Sequence, residues 1–452
     1  MAHQLLVALI PLILLGCSGS PQSQPPQAPL PQTPPPVDGY LARIALQEGD
    51  TRASVEATYH AAVEVWQWGD TPADRYALLR VNDPAAAPDT LQVVPNQRLF
   101  IPGGQMAQMN GGAQVWAGGG AQVWAGGGAN VWAGGGANLW AGGSFAWMPQ
   151  NNSPWKLIHL DKVPALAPRL GYGVKVAVID TGVDLDHPAL REALAPADER
   201  WDFVDDDPVP QEEGTLGEAG YGHGTNVAGI VRQVAPRATI LPLRVLGSDG
   251  RGNILNVVKA IRWAADKGAQ VINLSLGADE PVPEVEEAVR YAVGKGALVT
   301  ASVGNSGNTN VTYPAYDFCE ECLEPSFRAL QLQRISVGSV NLKNQPSTFS
   351  SRNEKGGKHH VEIAAPGEMI YGPAPGERMA AWSGTSMAAP VAAGLLALAI
   401  GEKDRFESWV DTKTLTFYLE LKATSLPKEY ADLLGAGRLD AEDFLKAVLK
   451  DK

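Results

Sequence analysis

The chain has 452 residues, 45% of them hydrophobic, so it is long enough for one large domain with a packed core and one or two smaller domains. Its 36 Lys and Arg residues stand against 49 Asp and Glu, which gives a formal net charge of -13. Nucleic-acid binding depends on neutralising phosphates with cations, so this balance argues against a nucleic-acid partner.

Residues 1–17 predict an export signal. The apolar run from Leu5 to Leu15 is long enough for a signal-peptide core but too short to span a bilayer. It is followed by Gly16 and Cys17, an ending that resembles the lipobox of bacterial lipoproteins. The resemblance implies that Cys17 carries lipid and anchors the chain in a bacterial cell envelope. The start of the signal contains neither Lys nor Arg, which departs from the usual pattern, and the alternative is a plain signal peptide with a chance cysteine.

Two further segments follow the signal, a spacer and a small domain. Residues 18–38 are rich in Pro, Ser and Gln and predict an extended, disordered spacer. Residues 39–105 predict a small α+β domain with a helix after Asp50-Thr51. The Gly-Asp-Thr sequence at 49–51 and the closing run at 95–102 resemble a LysM module, a βααβ domain that binds N-acetylglucosamine-containing glycans, which implies a cell-wall glycan partner. The alternative is a prodomain of another small α/β kind.

Residues 106–148 contain an internal repeat. Trp116, Trp124, Trp132 and Trp140 recur every eight residues among glycines. If each unit is extended, an even period keeps the tryptophans on one side and Ala and Val on the other, so four units could stack as a small β-structure. The alternative is a Gly-rich linker whose tryptophans insert into nearby apolar grooves.

Residues 149–452 alternate predicted strands with predicted helices, which is typical of an α/β domain with a mainly parallel sheet. The predicted strands read VKVAVID, ATILPLRVL, QVINLSL, ALVTASV, RISVGSV and VEIAAP. Helices begin near His223, at ILNVV, at PEVEE and near Ser386. In such sheets, ligand sites collect at the carboxyl ends of the strands.

Three residues at those ends have the chemistry of nucleophilic catalysis. Asp180 ends VKVAVID, where a carboxylate can orient a histidine, and His223 begins a helix between two glycines. Ser386 lies in the first turn of the last helix, where unpaired N–H groups and the helix dipole favour negative charge. Pro390 cannot donate to the carbonyl of Ser386, which loosens that turn. Taken singly, the three could be a helix cap, a structural histidine and a second helix cap.

The motifs VAVIDTGVDLDHP, GHGTNVAGI and SGTSMAAPVAAG together resemble the subtilisin-like serine peptidases, the subtilase family or peptidase S8. The resemblance runs from about Trp155 almost to the C-terminus. It implies a three-layer α/β domain in which Ser386 is the nucleophile and His223 is the general base and later acid. Asp180 would fix the tautomer of His223.

The same resemblance assigns residues around the triad. Asn305, in VTASVGNSGN, matches the family's oxyanion-hole asparagine. An extended substrate would pair with two edge segments. These segments comprise Gly250, Arg251 and Gly252, and Ser275, Leu276 and Gly277. Arg251 replaces a small residue of the family, which implies either a narrower subsite or a preference for acidic side chains, and primary specificity stays open.

Two clusters have alternative interpretations. A run of acidic residues could bind calcium through oxygen ligands or be a solvated loop, and no metal or other cofactor is assigned to it. The run comprises Asp202, Asp205, Asp206 and Asp207. Cys319 and Cys322 form a C-x-x-C, for which export favours a local disulfide, since a zinc site would need two further ligands.

The sequence therefore predicts an exported, lipid-anchored serine endopeptidase that acts on proteins or peptides and is made as a zymogen. Family prosegments usually occupy the active site until they are cut, and SPWKL at 153–157 resembles the start of mature domains, so a cut is predicted near residues 140–155. One alternative is an envelope glycan-binding protein with a scaffolding peptidase domain. Another is an esterase or transpeptidase that uses the same triad.

Overall fold

The structure is a computed structural model that describes residues 39–69, 75–84, 91–96, 98–100, 114–115, 148–215, 218, 220–318, 333–356 and 360–450. The signal with Cys17, the spacer, the four repeat tryptophans and the Cys319–Cys322 pair lie outside the described residues. The predictions made for them, and the predicted domain boundaries, stay predictions. Among the described residues, no helix has both the length and the apolar character needed to cross a bilayer.

The N-terminal domain is an antiparallel sheet with one described helix. In chain order its elements are β1 (Tyr40–Ala45), α1 (Arg52–Tyr59), β2 (Ala62–Gln67), β3 (Tyr76–Val81) and β4 (Val93–Pro95). The sheet order is β2-β3-β1-β4. Helix α1 begins after Thr51, whose side chain accepts from the Ser54 N–H in a capping box. This four-stranded sheet differs from the βααβ order expected of a LysM module.

The large domain is built on seven parallel strands. They are β7 (Lys175–Asp180), β8 (Trp201–Asp202), β9 (Thr239–Arg244), β11 (Val271–Leu274), β12 (Leu298–Ser302), β13 (Arg334–Val340) and β14 (Ile363–Pro366). Their order in the sheet is β14-β13-β12-β11-β7-β9-β8. Most residues of these strands are buried on both faces, because helices cover both faces of the sheet.

Alternate residues of β7 show the three layers directly. Val176 and Val178 belong to a core shared with the two long helices α4 (His223–Val234) and α7 (Thr385–Gly401). Ala177 and Ile179 belong to a second core. That core is shared with α5 (Ile254–Asp266) and α6 (Pro283–Gly294). The predicted α/β fold with a three-layer, mainly parallel architecture is confirmed.

The remaining described elements frame the large domain. They are the short strands β5 (Arg98–Phe100), β6 (Gln114–Val115), β10 (Arg251–Asn253), β15 (Ile370–Ala374) and β16 (Arg378–Trp382), and the short helices α2 (Asn152–Leu157), α3 (Val163–Leu166), α8 (Leu415–Leu421) and α9 (Ala441–Val448). β15 and β16 form an antiparallel hairpin, and β6 pairs with the outer edge of β16.

Helix α7 is the centre of the large domain. All 17 of its residues are buried, so it is apolar on every side and can only be an internal helix. Gly394 lets it approach α4, since a Cβ there would lie 2.5 Å from the Cβ of Val234. This close packing fixes the helix that carries Ser386 against the helix that begins at His223.

Candidate active site

His223 and Asp180 form a buried hydrogen-bonded pair at the carboxyl end of β7. The His223 Nδ1 lies 2.7 Å from the Asp180 Oδ1, and both side chains are 1% exposed. A carboxylate only accepts hydrogen bonds, so the proton of neutral His223 resides on Nδ1. The Nε2 atom, which has no hydrogen-bond partner among the described residues, is then the basic nitrogen.

The glycines beside His223 are required by space. Gly222 has a φ of 91°, a left-handed conformation that side chains disfavour. A Cβ on Gly224 would lie 2.1 Å from the carbonyl oxygen of Gly182. Gly224 thus lets the start of α4 lie directly against the end of β7, close to Asp180, while Gly222 supplies the left-handed turn that precedes the helix.

Ser386 lies in the first turn of α7 and is 1% exposed. Its hydroxyl donates to the carbonyl oxygen of Ser275 at 3.3 Å, in the second predicted substrate segment. Trp382, four residues earlier, lies edge-to-face against the His223 ring with centroids 5.3 Å apart. The strand that leads into Ser386 therefore lies against the imidazole, so the structure brings all three predicted triad residues to one edge of the sheet.

Asn305 is held against the nucleophile loop. Its Oδ1 accepts from the N–H of Thr385 at 2.9 Å and from the Thr385 hydroxyl at 3.0 Å. Its Nδ2 faces Gly384, since a Cβ on that glycine would lie 3.1 Å from Nδ2. The Asn305 amide therefore contacts the two residues that directly precede Ser386.

The two predicted substrate segments differ in their surroundings: one is buried in the large domain, and the other is paired with a strand of the N-terminal region. Ser275 and Leu276 are fully buried, and a Cβ on Gly277 would lie 2.6 Å from the Thr312 hydroxyl. Residues 250–252, which we call the substrate edge, overlap β10. Strand β5 of the N-terminal region pairs antiparallel with β10, with Phe100 opposite Arg251 and Leu99 opposite Gly252. The substrate edge therefore already has an extended partner from the same chain.

Glu212 is a buried carboxyl that sequence reasoning missed, because no motif or spacing distinguishes it. Its Oε2 accepts from the N–H of Thr225 at 3.0 Å and from the Thr225 hydroxyl at 2.9 Å, so it caps the helix that His223 begins. Burial, with a smaller contribution from the charge of Asp180, raises the pKa of Glu212 to about 8.

We expect Glu212 to make stability fall as pH rises. An unfolded Glu ionises near 4.5, so between that pH and about 8 the folded chain holds one more proton than the unfolded chain. Stability then falls by up to about 1.4 kcal/mol per pH unit across this window. Glu212→Gln removes this dependence and keeps an acceptor for Thr225. The measurement is urea unfolding from pH 5 to 8 in a Ser386→Ala background, which prevents self-digestion. A constant stability difference between Gln and Glu across this range would contradict the raised pKa.

Two carboxylates of the acidic cluster are paired with an arginine. Arg244 Nη1 lies 2.7 Å from Asp202 Oδ2 and 2.6 Å from Asp205 Oδ2, and its Nη2 lies 3.2 Å from Glu213. A guanidinium at this position does not fit a calcium ion held by the same carboxylates. Over the described ranges, no group of three or more His, Cys, Asp or Glu residues is arranged to hold a metal ion.

A buried Asp–His pair at the carboxyl edge of a parallel sheet, with a serine at the start of the central helix, defines the class of α/β serine peptidases. Residues 171–433 match the family model described as the subtilase family. The chain belongs to this family and is a serine endopeptidase, which confirms the prediction from the three motifs.

Individual relatives agree with this assignment. Thermitase of Thermoactinomyces vulgaris is 39% identical over 238 residues, which cover 50% of this chain and 75% of that protein. Subtilisin BL of Lederbergia lenta is 34% identical over 300 residues, covering 64% of this chain and 97% of that protein. The crystal structure of a lanthipeptide protease is similar with a TM-score of 0.54 and 27% identity, covering 66% of this chain and 96% of that one.

Proposed function

We propose that the protein hydrolyses peptide bonds through an acyl-enzyme formed on Ser386. His223 Nε2 takes the proton of the Ser386 hydroxyl as its oxygen attacks the peptide carbonyl, and then gives that proton to the leaving amine. Asp180 holds the imidazole and stabilises its cation. Water then attacks the acyl-enzyme with His223 again as base. The observation that carries this proposal is the 2.7 Å contact between Asp180 and His223, which leaves Nε2 as the basic atom.

A serine-directed reagent tests this function. A sulfonyl fluoride should attach to the Ser386 Oγ with loss of fluoride and stop casein hydrolysis. His223→Ala should be inactive without the reagent and should not be labelled at Ser386, because the base that activates the hydroxyl is missing. Adduct mapping by mass spectrometry identifies the modified residue. Labelling at another serine, with activity lost, would overturn the assignment. Turnover of an ester substrate without turnover of the matching peptide would favour the esterase alternative.

Asn305 is proposed to complete the oxyanion hole together with the backbone N–H of Ser386. Asn305→Ala should lower kcat about 10²- to 10³-fold with little change in KM, because the lost donor acts on the charged transition state. Steady-state hydrolysis of a peptide substrate measures both constants. Asn310→Ala, an exposed change in the same loop, is the matched control and should retain activity. A rise in KM with kcat unchanged would show that Asn305 binds substrate in its ground state instead.

Residues 39–100 are proposed to be an inhibitory prosegment, and three groups of contacts support this. Arg43 bonds Glu287 of α6 at 2.9 Å, and Glu64 pairs with Lys259 of α5. The Oδ1 of Asn96 accepts from the Leu255 N–H at the start of α5, at 3.2 Å. β5 then occupies the substrate edge, where Leu99 is fully buried. The N-terminal region thus contacts α5 and α6, and through β5 it occupies the edge with which an extended substrate would pair.

The direction of β5 along the substrate edge indicates where the proposed cut would fall. A Cβ on Gly220 would lie 2.5 Å from the Gly250 N, so that end of the substrate edge lies beside the loop leading to His223. β5 runs from Arg98 opposite Asn253 to Phe100 opposite Arg251, so the strand advances along the substrate edge from Asn253 towards the Gly250 end. At Phe100, β5 is therefore directed to the end of the substrate edge that lies beside the loop leading to His223.

We propose that the first cut falls soon after Phe100, upstream of the tryptophan repeat, and not in the 148–155 part of the predicted segment. Met148 is 2% exposed, and Asn151 is fully buried with bonds to Gln233 and Tyr371 at 2.8 and 2.7 Å. The test is the N-terminal sequence and mass of the active species. A mature chain starting near residue 148 or beyond would contradict this position, and an intact chain as the only active species would overturn self-processing.

Export and lipid anchoring through Cys17 are proposed from the lipobox resemblance. In a bacterial host, the full chain should fractionate with the membrane, and Cys17→Ser should release it or leave it unprocessed. A Cys17→Ser variant that has lost residues 1–16 and still fractionates with the membrane would overturn anchoring. The four-stranded sheet of residues 40–95 lends no support to the glycan-binding alternative.

A further inference from the structure

The carbonyl of Ser386 lacks its ordinary helical partner. In an α-helix the carbonyl of residue i accepts from the N–H of residue i+4. Residue 390 is a proline inside α7 and has no N–H to donate. A buried carbonyl without a donor is costly, so another group must serve it.

A side chain from the sheet takes that place. The Ser275 Oγ donates to the carbonyl oxygen of Ser386 at 2.8 Å, while the backbone carbonyl of Ser275 accepts from the Ser386 hydroxyl at 3.3 Å. Ser275 thus contacts the nucleophile residue at its main chain and at its reacting oxygen. Its side chain is fully buried, so water cannot replace it freely.

Two further side chains set the direction of that hydrogen bond. The Asn273 Nδ2 donates to the Ser275 Oγ at 2.9 Å, and the Thr300 Oγ1 donates to the Asn273 Oδ1 at 3.0 Å. Asn273 and Thr300 are opposite each other in the register of β11 and β12, and both are fully buried. Because a hydroxyl has one proton, accepting from Asn273 leaves Ser275 to donate to Ser386.

We propose that Thr300, Asn273 and Ser275 are positioning residues that fix the first turn of α7, in the place of the helical bond that Pro390 removes. The position of the Ser386 oxygen is then set by the rigid parallel sheet. The inference rests on the proposed role of Ser386 as nucleophile. A merely structural role would also satisfy these buried groups, so the test must separate the rate from stability.

Ser275→Ala should lower kcat about 10- to 100-fold with KM nearly unchanged, since a small displacement of an attacking atom has effects of this size. The decisive variant is Ser275→Ala with Pro390→Ala, in which residue 390 regains an N–H that can bond the Ser386 carbonyl. We expect kcat of this double variant to return to within about threefold of Pro390→Ala alone, a coupling that independent sites would not show.

Ser336→Ala is the matched control. Ser336 is a fully buried serine of β13 whose hydroxyl bonds Glu362 and not the active site. It should lose stability without losing kcat. If Ser275→Ala does not fold, Thr300→Val, which removes one hydroxyl at constant shape, should give a smaller fall in kcat that Thr300→Ser restores. An unchanged kcat in the folded variants, or no restoration by Pro390→Ala, would overturn the proposal.

Reaction with the sulfonyl fluoride distinguishes the two possible failures. If the wild type is not modified at Ser386, the proposed function itself fails. If the wild type is modified and Ser275→Ala is modified at the same rate, only the positioning role fails. A slower reaction of Ser275→Ala, restored by Pro390→Ala, supports both.

Discussion

Ser386→Ala is expected to lower kcat for peptide hydrolysis by a factor on the order of 10⁶. The substitution removes the attacking oxygen, so no acyl-enzyme can form and only the oxyanion hole and substrate binding remain to accelerate the reaction. The structural cost is small, because within the described part of the chain the Ser386 hydroxyl donates one hydrogen bond, to the Ser275 carbonyl at 3.3 Å. The folded state should therefore survive.

The measurement combines peptide turnover with the mass of the purified chain. The variant should be nearly inactive and uncut, since self-processing uses the same serine. Ser383→Ala, three residues earlier in the same loop, is the matched control and should remain active and processed. If Ser386→Ala retained more than about one per cent of wild-type kcat, another nucleophile would be required. A variant that is inactive but still cut at the wild-type position would show that processing needs a second protease.

Asp180→Asn is expected to lower kcat about 10⁴-fold at neutral pH. An amide can occupy the same space and can still accept from the Thr181 N–H, which bonds Asp180 Oδ1 at 2.7 Å. It carries no negative charge, so the imidazolium that forms on His223 loses its counter-ion in a buried site. An amide N–H that turns towards His223 would also select the tautomer with its proton on Nε2, which cannot accept a proton from Ser386.

The control for this variant is Asp184→Asn. Asp184 is a buried carboxylate four residues further along the chain that accepts from the Gly376 N–H at 2.8 Å, and no described contact links it to His223. It should change kcat by less than about tenfold, although it removes the same charge. Circular dichroism and thermal midpoints of both variants check that each is folded. Equal losses from the two variants would show that general electrostatics, not the contact with His223, account for the effect.

The triad could be predicted from the sequence because each member lies in its own short motif at a strand end or helix start. Asp180, His223 and Ser386 all occupy the positions that the motifs indicated, and the alternating pattern predicted the parallel sheet. The motif VTASVGNSGN also indicated Asn305, whose role in the oxyanion hole stays a prediction. The orientation of Asn305 was not indicated, because that depends on bonds to Thr385 from a distant part of the chain.

The contacts that could not be predicted from the sequence depend on strand register and on burial. Ser275 was assigned to a substrate segment, but its bond to the Ser386 carbonyl follows from how β11 and the start of α7 meet in space. Asn273 could be linked to Thr300 only by the pairing of two strands that are 27 residues apart in the chain. Glu212 is one of many acidic residues until folding buries it beside Thr225.

The pairing of β5 with the substrate edge makes the proposed activation depend on a binding equilibrium between β5 and that edge. While the chain is uncut, β5, the proposed inhibitory strand, is present at an effective concentration set by its tether, and competing substrate would not displace it easily. After a cut, the same strand obeys mass action and leaves on dilution. The cut segment is then retained partly by ionic contacts, such as the pair of Arg43 and Glu287. Added salt screens these contacts and weakens them. Ionic strength and total protein concentration would thus set the delay between cutting and full activity.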